Sequence, residues 1–104
     1  MKYYTVAHYV ITKTDWLQAY AENVTRMVEA RGGKFLARTS AIEVNEGDIE
    51  PRTSVLVIEW PSKEVFEAFQ TCEEFKPYAE ARKAGSKGTF LLVPGQDDAK
   101  QATI

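Results

Sequence analysis

The sequence predicts an α+β domain built from four strands and two main helices in the order β-α-β-β-α-β. Two observations carry this prediction. Residues 3–12 and Thr53–Trp60 are apolar on both faces of an extended chain, which is typical of strands inside a sheet. Each of these strands is followed by a segment whose apolar residues recur at helical spacing. A chain of 104 residues is one domain by size, so the elements are expected to share one core within residues 1–95.

The first strand, residues 3–12, is rich in the aromatic and β-branched residues that favour an extended chain. Its side chains alternate between two faces, and both faces are largely apolar. We therefore expect this strand to need cover on both sides. One face carries Tyr4, Val6, His8 and Val10, and the other carries Tyr3, Thr5, Ala7, Tyr9 and Ile11.

The first helix is predicted to begin at Thr14 and Asp15, where Asp15 and Gln18 have the spacing of a capping box. Gly32 and Gly33 are expected to end it, because glycine adopts the left-handed cap conformation at little cost. The predicted core-facing stripe of this helix is Trp16, Leu17, Tyr20, Val24, Met27 and Val28.

A second strand is predicted from Lys34 to about residue 44, with an irregularity around Thr39 and Ser40. A polar, acidic connection over residues 45–52 follows, and its carboxylates lack the spacing of a calcium loop. The central strand Thr53–Trp60 comes next and stops before Pro61.

The last third of the chain predicts two short helices and a strand. Ser62 is a suitable cap for a helix whose stripe ends at Cys72. Residues 75–84 form a further helix with a proline in its first turn. A turn bracketed by Gly85 and Gly88 then leads into a strand over residues 89–93, and the polar tail 96–104 is expected to be mobile.

Composition excludes several classes of partner. The net charge of −2, with both signs mixed along the chain, argues against a nucleic-acid or anionic-membrane surface. No apolar run reaches the roughly 18 to 20 residues of a membrane span, and the first residues lack the apolar core of a signal peptide. The single cysteine, Cys72, cannot form an internal disulfide and suits a reducing compartment. We therefore expect a cytoplasmic protein.

The predicted order of elements is that of ferredoxin-like folds, in which the first and third strands are central. Those are the two strands whose sequences are apolar on both faces. The helices can cover only one face of the sheet, so the other apolar face needs a partner. The simplest partner is a second copy of the same sheet, which predicts a homodimer.

Several segments in this order resemble the DUF1330 family of the dimeric α/β-barrel superfamily. The likeness spans roughly residues 3–95 and implies this fold and a homodimer. Where the family usually has Arg-Gly-Gly after the second strand, this chain has Arg-Thr-Ser. Relatives in the superfamily include cofactor-free monooxygenases, haem-degrading enzymes and muconolactone isomerases, but the family itself implies no particular reaction. The likeness is carried by Val-Ile-Thr-Lys-Thr-Asp at 10–15, Tyr-Ala-Glu at 20–22, Gly-Gly-Lys-Phe-Leu-Ala-Arg at 32–38, Val-Ile-Glu-Trp-Pro-Ser at 57–62, Phe-Lys-Pro-Tyr at 75–78 and Arg82.

Five residues are candidates for a small-molecule site. His8, the only histidine, is the best proton carrier, since its reference pKa is near neutrality. Arg38 and Glu59 stand near the ends of consecutive strands, and a guanidinium paired on one edge keeps donors free for a ligand. Tyr78 or Arg82 is expected close by. The structural alternatives are a packed histidine, a surface salt bridge for Arg38 and an arginine partner for a buried Glu59.

The function classes left open are three. The first is a cofactor-free enzyme acting on a small anionic or carbonyl-bearing molecule, and the second is a non-catalytic module that binds such a molecule. The third is a protein-interaction module. One histidine and one cysteine far apart in sequence cannot supply the usual set of zinc ligands, so we expect no transition metal. We also expect no haem. Tyr4, Tyr9 and Trp60 are expected to pack in the core, with one or two aromatic hydroxyls lining the pocket.

Overall fold

The computed structural model describes residues 1–103 and contains a four-stranded antiparallel sheet in the order β2-β3-β1-β4. The two central strands are the ones that were predicted to be central. This arrangement confirms the predicted α+β, ferredoxin-like fold, and α3 is the further short helix predicted over residues 75–84. The elements are β1 (Tyr3–Ile11), α1 (Leu17–Ala30), β2 (Lys34–Thr39), β3 (Thr53–Trp60), α2 (Lys63–Thr71), α3 (Lys76–Gly85), β4 (Ser86–Pro94), β5 (Gln96–Asp97) and β6 (Ala102–Thr103).

The helices cover one face of the sheet, and the core lies between them and that face. Burial alternates along β3, where Leu56, Ile58 and Trp60 are buried and the residues between them are only half-buried. Thr5 and Ala7 are the buried residues of β1, which places the Tyr3 to Tyr9 set against the helices. The residues that close this core are Val24, Met27 and Val28 of α1, Phe69 of α2, and Phe75.

The opposite face of the sheet, which we call the open face, has no helix over it in residues 1–103. It carries the Tyr4, Val6, His8 and Val10 set of β1, and none of these side chains is buried. Leu91 of β4 is 51% exposed. The sheet is therefore apolar on a face that the single chain leaves open.

The start of α1 differs from the prediction, whereas its end agrees. Trp16 is the N-terminal capping residue and makes no side-chain cap, and the Gln18 amide donates to the Glu22 carboxylate at 3.3 Å. The predicted capping box is therefore wrong, because the helix begins at Leu17, two residues after Asp15, and a turn closed by the Leu17 amide and the Thr14 carbonyl at 3.2 Å precedes it. At the other end Gly32 adopts a φ of 83°, the left-handed conformation expected of a helix-ending glycine.

The strand β2 is shorter than predicted and its irregularity lies earlier. A bulge falls between Phe35 and Ala37, where β2 pairs with β3, and the strand ends at Thr39. Residues 40–52 form no helix or strand and are mostly exposed. The bulge shifts the alternation by one residue, so Phe35 and Arg38 lie on the same face of the sheet.

The connection from α3 to β4 is tighter than the predicted glycine turn. Gly85 is the last residue of α3, and β4 begins directly at Ser86. Gly88 lies inside β4 opposite Tyr9, where an added Cβ would lie 2.3 Å from the His8 carbonyl oxygen. This glycine permits close approach of two backbones and does not mark a turn.

The remaining predicted features agree in part. The Ser62 hydroxyl accepts from the Val65 amide at 3.2 Å and caps α2 as predicted. The tail forms a short hairpin of β5 and β6, and Ile104 lies outside the described residues. No helix within residues 1–103 combines the length and apolarity needed to cross a bilayer.

Candidate functional site

A cavity of about 220 Å³ lies between the helices and the covered face of the sheet. Its lining on β1 runs from Thr5 to Tyr9, and on β3 from Trp60 to Leu56. Four residues of extended chain span about 13 Å. The cavity also extends across the sheet, because residues of β2 and β4 line it as well as those of β1 and β3. Aromatic side chains supply much of the rest of the wall, namely Trp16, Tyr20, Phe35, Phe66, Phe69, Phe75 and Phe90.

One end of the cavity is closed by an apolar cluster around Trp60. The Trp60 side chain is fully buried, and its indole N–H donates to the Thr5 hydroxyl at 2.8 Å. Phe66 packs edge-on to the indole at a centroid distance of 5.5 Å, and Phe69 packs tilted at 5.3 Å. The indole N–H is thus satisfied inside the protein, and this end of the cavity presents mainly hydrocarbon.

The charge that lines the cavity is entirely positive. Arg38 and Arg82 are the only charged residues among the described residues that line it. Arg38 is exposed and lies over the Phe35 ring at 4.0 Å, and it donates to the Thr25 hydroxyl at 2.7 Å. No carboxylate group within residues 1–103 lies within 4.0 Å of either guanidinium.

Arg82 reaches the cavity from α3, on the side of the edge strand β4. Its guanidinium lies 4.2 Å from the centroid of the Phe90 ring and donates to the Tyr20 hydroxyl at 3.0 Å. The Tyr9 ring stacks on the same Phe90 at a centroid distance of 5.7 Å. Tyr9, Tyr20, Arg38 and Arg82 form what we call the arginine cluster.

The other members of the arginine cluster shift the pKa of the Tyr9 hydroxyl. Burial raises its pKa above the usual 10.0, Tyr20 raises it further, and the positive charges of Arg38 and Arg82 lower it. Burial has the largest effect, so this phenol is neutral near pH 7. Tyr9 therefore keeps an O–H donor in the same cavity as two guanidinium groups.

This arrangement suits an anion with an apolar body. Each guanidinium makes one hydrogen bond to a neutral protein oxygen and has no carboxylate partner, so N–H donors remain for a ligand. Guanidinium groups bind carboxylate and phosphate oxygens through two parallel N–H donors. The aromatic walls beyond the cluster can exclude water from such a contact, which strengthens it.

The structure brings two of the five predicted site residues together and separates the others. Arg38 and Arg82 both line the cavity. His8 and Glu59 lie on the open face, because they fall between the buried residues of β1 and β3. Tyr78 packs against the core without lining the cavity.

The predicted convergence of His8, Glu59 and Arg38 is therefore wrong, and so is the predicted arginine partner of Glu59. Glu59 forms a salt bridge with Lys2, and this contact raises the pKa of the lysine, first through the hydrogen bond and then through the opposite charge. The half-buried Glu59 carboxylate is therefore paired with a cation, but that cation is the Lys2 ammonium group rather than an arginine.

His8 lies beside a second, more open depression on the open face. This depression is lined by Ile49, Thr89 and the pair of Lys87 and Glu50, whose side chains form a salt bridge at 2.9 Å. A ligand held by Arg38 in the helix-covered cavity lies on the other side of the sheet from His8. A catalytic role for His8 stays a prediction, but it does not extend to a ligand bound in that cavity.

Sequence reasoning placed Tyr9 among the aromatic residues of which one or two were expected to line the pocket, and it missed Tyr20 as part of the site. The signal was present in the alternation of β1, since Tyr9 shares the face of Thr5 and Ala7, while His8 is on the other face. The same alternation along β3 places Glu59 on the face opposite to that of its neighbours Ile58 and Trp60. Within residues 1–103, no group of three or more His, Cys, Asp or Glu side chains is arranged to hold a metal ion.

Comparison with known proteins gives similar folds at low sequence identity. The chain is similar to SnoaB from Streptomyces nogalater, described as a cofactor-independent oxygenase. The TM-score is 0.67 at 15% identity, over 92% of this chain and 94% of that one. It is also similar to the RPA0582 protein from Rhodopseudomonas palustris, described as of unknown function. The TM-score is 0.70 at 15% identity, over 86% and 80% of the two chains.

These likenesses establish the fold alone. No curated protein shows significant sequence similarity to the chain. The profile of a domain of unknown function, DUF1330, matches residues 2–96, which is nearly the whole chain. The chain therefore belongs to the DUF1330 family.

Proposed function

We propose that this protein binds a small anionic or carbonyl-bearing molecule in the cavity between the helices and the sheet. One observation carries the proposal, namely that the only charged groups lining the cavity are the two guanidiniums of Arg38 and Arg82, and neither has a carboxylate partner among residues 1–103. An arginine in a cavity without a counter-charge favours an incoming anion. In this proposal the ligand supplies the missing negative charge.

A thermal-shift experiment tests this proposal. A ligand present at ten times its Kd stabilises the folded state by about 1.4 kcal/mol, which for a domain of this size raises Tm by roughly 6 to 11 °C. We expect a screen of small carboxylates and carbonyl compounds to contain molecules that produce such a shift. The shift should be lost in Arg38→Ala, whose exposed side chain makes its one protein hydrogen bond to Thr25.

The matched control is Arg26→Ala. Arg26 is an exposed arginine of α1, but it does not line the cavity and pairs with Glu74 at 3.2 Å. This variant removes the same charge and should keep the ligand-induced shift. If no anion shifts the wild-type Tm, or if Arg38→Ala responds as the control does, the proposed site is wrong.

The second candidate function is a cofactor-free enzyme that uses the same cavity. The neutral Tyr9 hydroxyl favours this candidate, because an O–H beside two cations can donate a proton or a hydrogen bond to a developing oxyanion. The fold likeness to a cofactor-independent oxygenase is consistent with it. Turnover of a bound ligand that is abolished in Tyr9→Phe supports an enzyme, and binding without turnover supports a non-catalytic binding module.

We also propose that the protein acts as a homodimer in the cytoplasm. The open face of the sheet supports the dimer, since it is apolar and uncovered in residues 1–103 and a second copy offers an identical apolar face. A large apolar face exposed on a single chain is more typical of proteins that assemble than of monomers. The single free cysteine, Cys72, is consistent with a reducing compartment.

A further inference from the structure

We propose that the ligand of the cavity is a single-ring aromatic carboxylate with a short side chain between ring and acid, such as an arylalkanoate. This inference rests on the proposed function, because it requires that the cavity binds an anion. It goes further by naming the chemical class. Three features of the cavity carry it, namely its size, its polarity along the strands and the composition of its walls.

The size of the cavity sets the size of the molecule. A buried apolar cavity of about 150 Å³ holds benzene, and one water occupies about 30 Å³ of liquid. The 220 Å³ found here therefore accommodates roughly one ring and a side chain of a few atoms. A nucleotide is too large.

The charges of the cavity are set apart from its hydrocarbon end. Arg38 lies opposite Leu56 and Arg82 lies over Phe90; Leu56 and Phe90 both pair with Ala7, so the two arginines reach the cavity at one row from opposite edges of the sheet. Leu56 and Trp60 are four residues apart on β3, about 13 Å of extended chain, so a ligand with one charged terminus and one hydrocarbon terminus fits in a single orientation. A second acidic group would lie against the hydrocarbon end, where no charged residue of the described chain could pair with it.

The walls favour a planar ring over an aliphatic chain. The rings of Phe66 and Phe69 already make edge-on and tilted contacts with Trp60, and such arrangements accept a further ring at the same separations. Aromatic pairs contribute beyond the area that they bury, which corresponds to roughly a two- to twelve-fold gain in affinity per contact. The planar carboxylate matches the planar donors of a single guanidinium, either that of Arg38 or that of Arg82.

Calorimetric titration of the purified protein with three probes tests this class. The probes are 3-phenylpropanoate, the uncharged 3-phenylpropanol and octanoate, which has a carboxylate but no ring. We expect 3-phenylpropanoate to bind most tightly. The alcohol should bind at least tenfold more weakly because it lacks the charge. Octanoate should bind about two- to twelve-fold more weakly because it lacks the ring.

The variants assign the charge recognition to named residues. Arg38→Ala and Arg82→Ala should weaken 3-phenylpropanoate by about ten- to a hundredfold and leave the alcohol unchanged, whereas Arg26→Ala should leave both unchanged. Arg82→Ala also removes the hydrogen bond from α3 to Tyr20 of α1, so it affects the packing of α3 as well as the charge. Arg38→Ala leaves that contact in place and is the cleaner test of charge recognition.

The outcomes separate the two proposals. If octanoate binds as tightly as 3-phenylpropanoate, and both depend on Arg38, the aromatic class is wrong and the anion-binding function stands. If the alcohol binds as tightly as the carboxylate, charge recognition is absent and the class is also wrong. If no probe binds, and the wider screen of anions gives no shift that depends on Arg38, the proposed function itself fails.

Discussion

Removing the hydrogen bond between Thr5 and Trp60 should cost far more stability than its single contact suggests. The substitution Thr5→Val keeps nearly the same shape but removes the hydroxyl that accepts from the Trp60 indole at 2.8 Å. The Trp60 side chain is fully buried and Thr5 is 7% exposed, so water cannot replace the lost partner. An unsatisfied buried donor costs about 1 to 3 kcal/mol.

For a domain of about 100 residues, a loss of 2 kcal/mol lowers Tm by roughly 8 to 16 °C. Urea unfolding followed by circular dichroism measures the change in free energy directly. The control is Thr71→Val, because Thr71 is exposed and its hydroxyl donates to the Glu67 carbonyl within α2 at 2.9 Å. A surface change of this kind should stay within about 0.5 kcal/mol.

A double-mutant cycle with Trp60→Phe isolates the pairwise contribution. In the double variant both partners of the hydrogen bond are gone, so its loss of stability should be smaller than the sum of the two single losses by about 1 kcal/mol. If the two substitutions add within about 0.3 kcal/mol, the hydroxyl and the indole are not coupled, and this account of the closed end of the cavity is wrong.

Three further predictions concern the cavity, the sheet and the open face. Burial raises the pKa of Tyr9 above 10.0, so the stability linked to this group is present below pH 10 and is lost as the pH rises further. Wild type should therefore lose stability more steeply than Tyr9→Phe between pH 9 and pH 11.5 in urea unfolding, and equal slopes would contradict this. Gly88→Ala places a methyl group 2.3 Å from the His8 carbonyl oxygen, so it should destabilise the protein by more than about 2 kcal/mol. An unchanged midpoint of urea unfolding would show that β1 and β4 move apart to accept the methyl group, and it would contradict this prediction. Leu91→Lys adds a charge to the open face, where the native side chain is 51% exposed, and it should convert a dimer into a folded monomer in sedimentation; a wild type that is already monomeric at micromolar concentration refutes the dimer.

The fold could be predicted from the sequence because it depends on patterns that are local in the chain. The continuous apolar runs of β1 and β3 indicate central strands, and the structure places both there. The helix stripes indicate which side chains face the core, and Val24, Met27 and Val28 are buried as expected. The exceptions are Gly85 and Gly88, which have the sequence pattern of a turn. Gly85 ends α3 against the Trp16 indole, and Gly88 permits a close approach of two strands that only the pairing of β1 with β4 reveals.

The site was less predictable because it depends on which face of the sheet each residue occupies. From the sequence, Arg38 and Glu59 were expected to lie close together because each stands near a strand end, and His8 was expected beside them. An offset of one residue along a strand, however, moves a side chain to the opposite face of the sheet. The bulge in β2 decides the face of Arg38, and no sequence signal at Leu36 indicates it. The partner of Glu59 is Lys2, and long-range pairs of this kind follow from the register of strands rather than from spacing.

The most direct test of this account is a crystal structure of the protein with 3-phenylpropanoate, or with whichever anion the thermal-shift screen selects. The account predicts density in the cavity between the helices and the sheet, with the acid group within about 3 Å of a guanidinium nitrogen of Arg38 or Arg82. It also predicts that the hydrocarbon part points towards Trp60. A ligand bound instead on the open face beside His8, with the cavity free of it, would contradict the central claim.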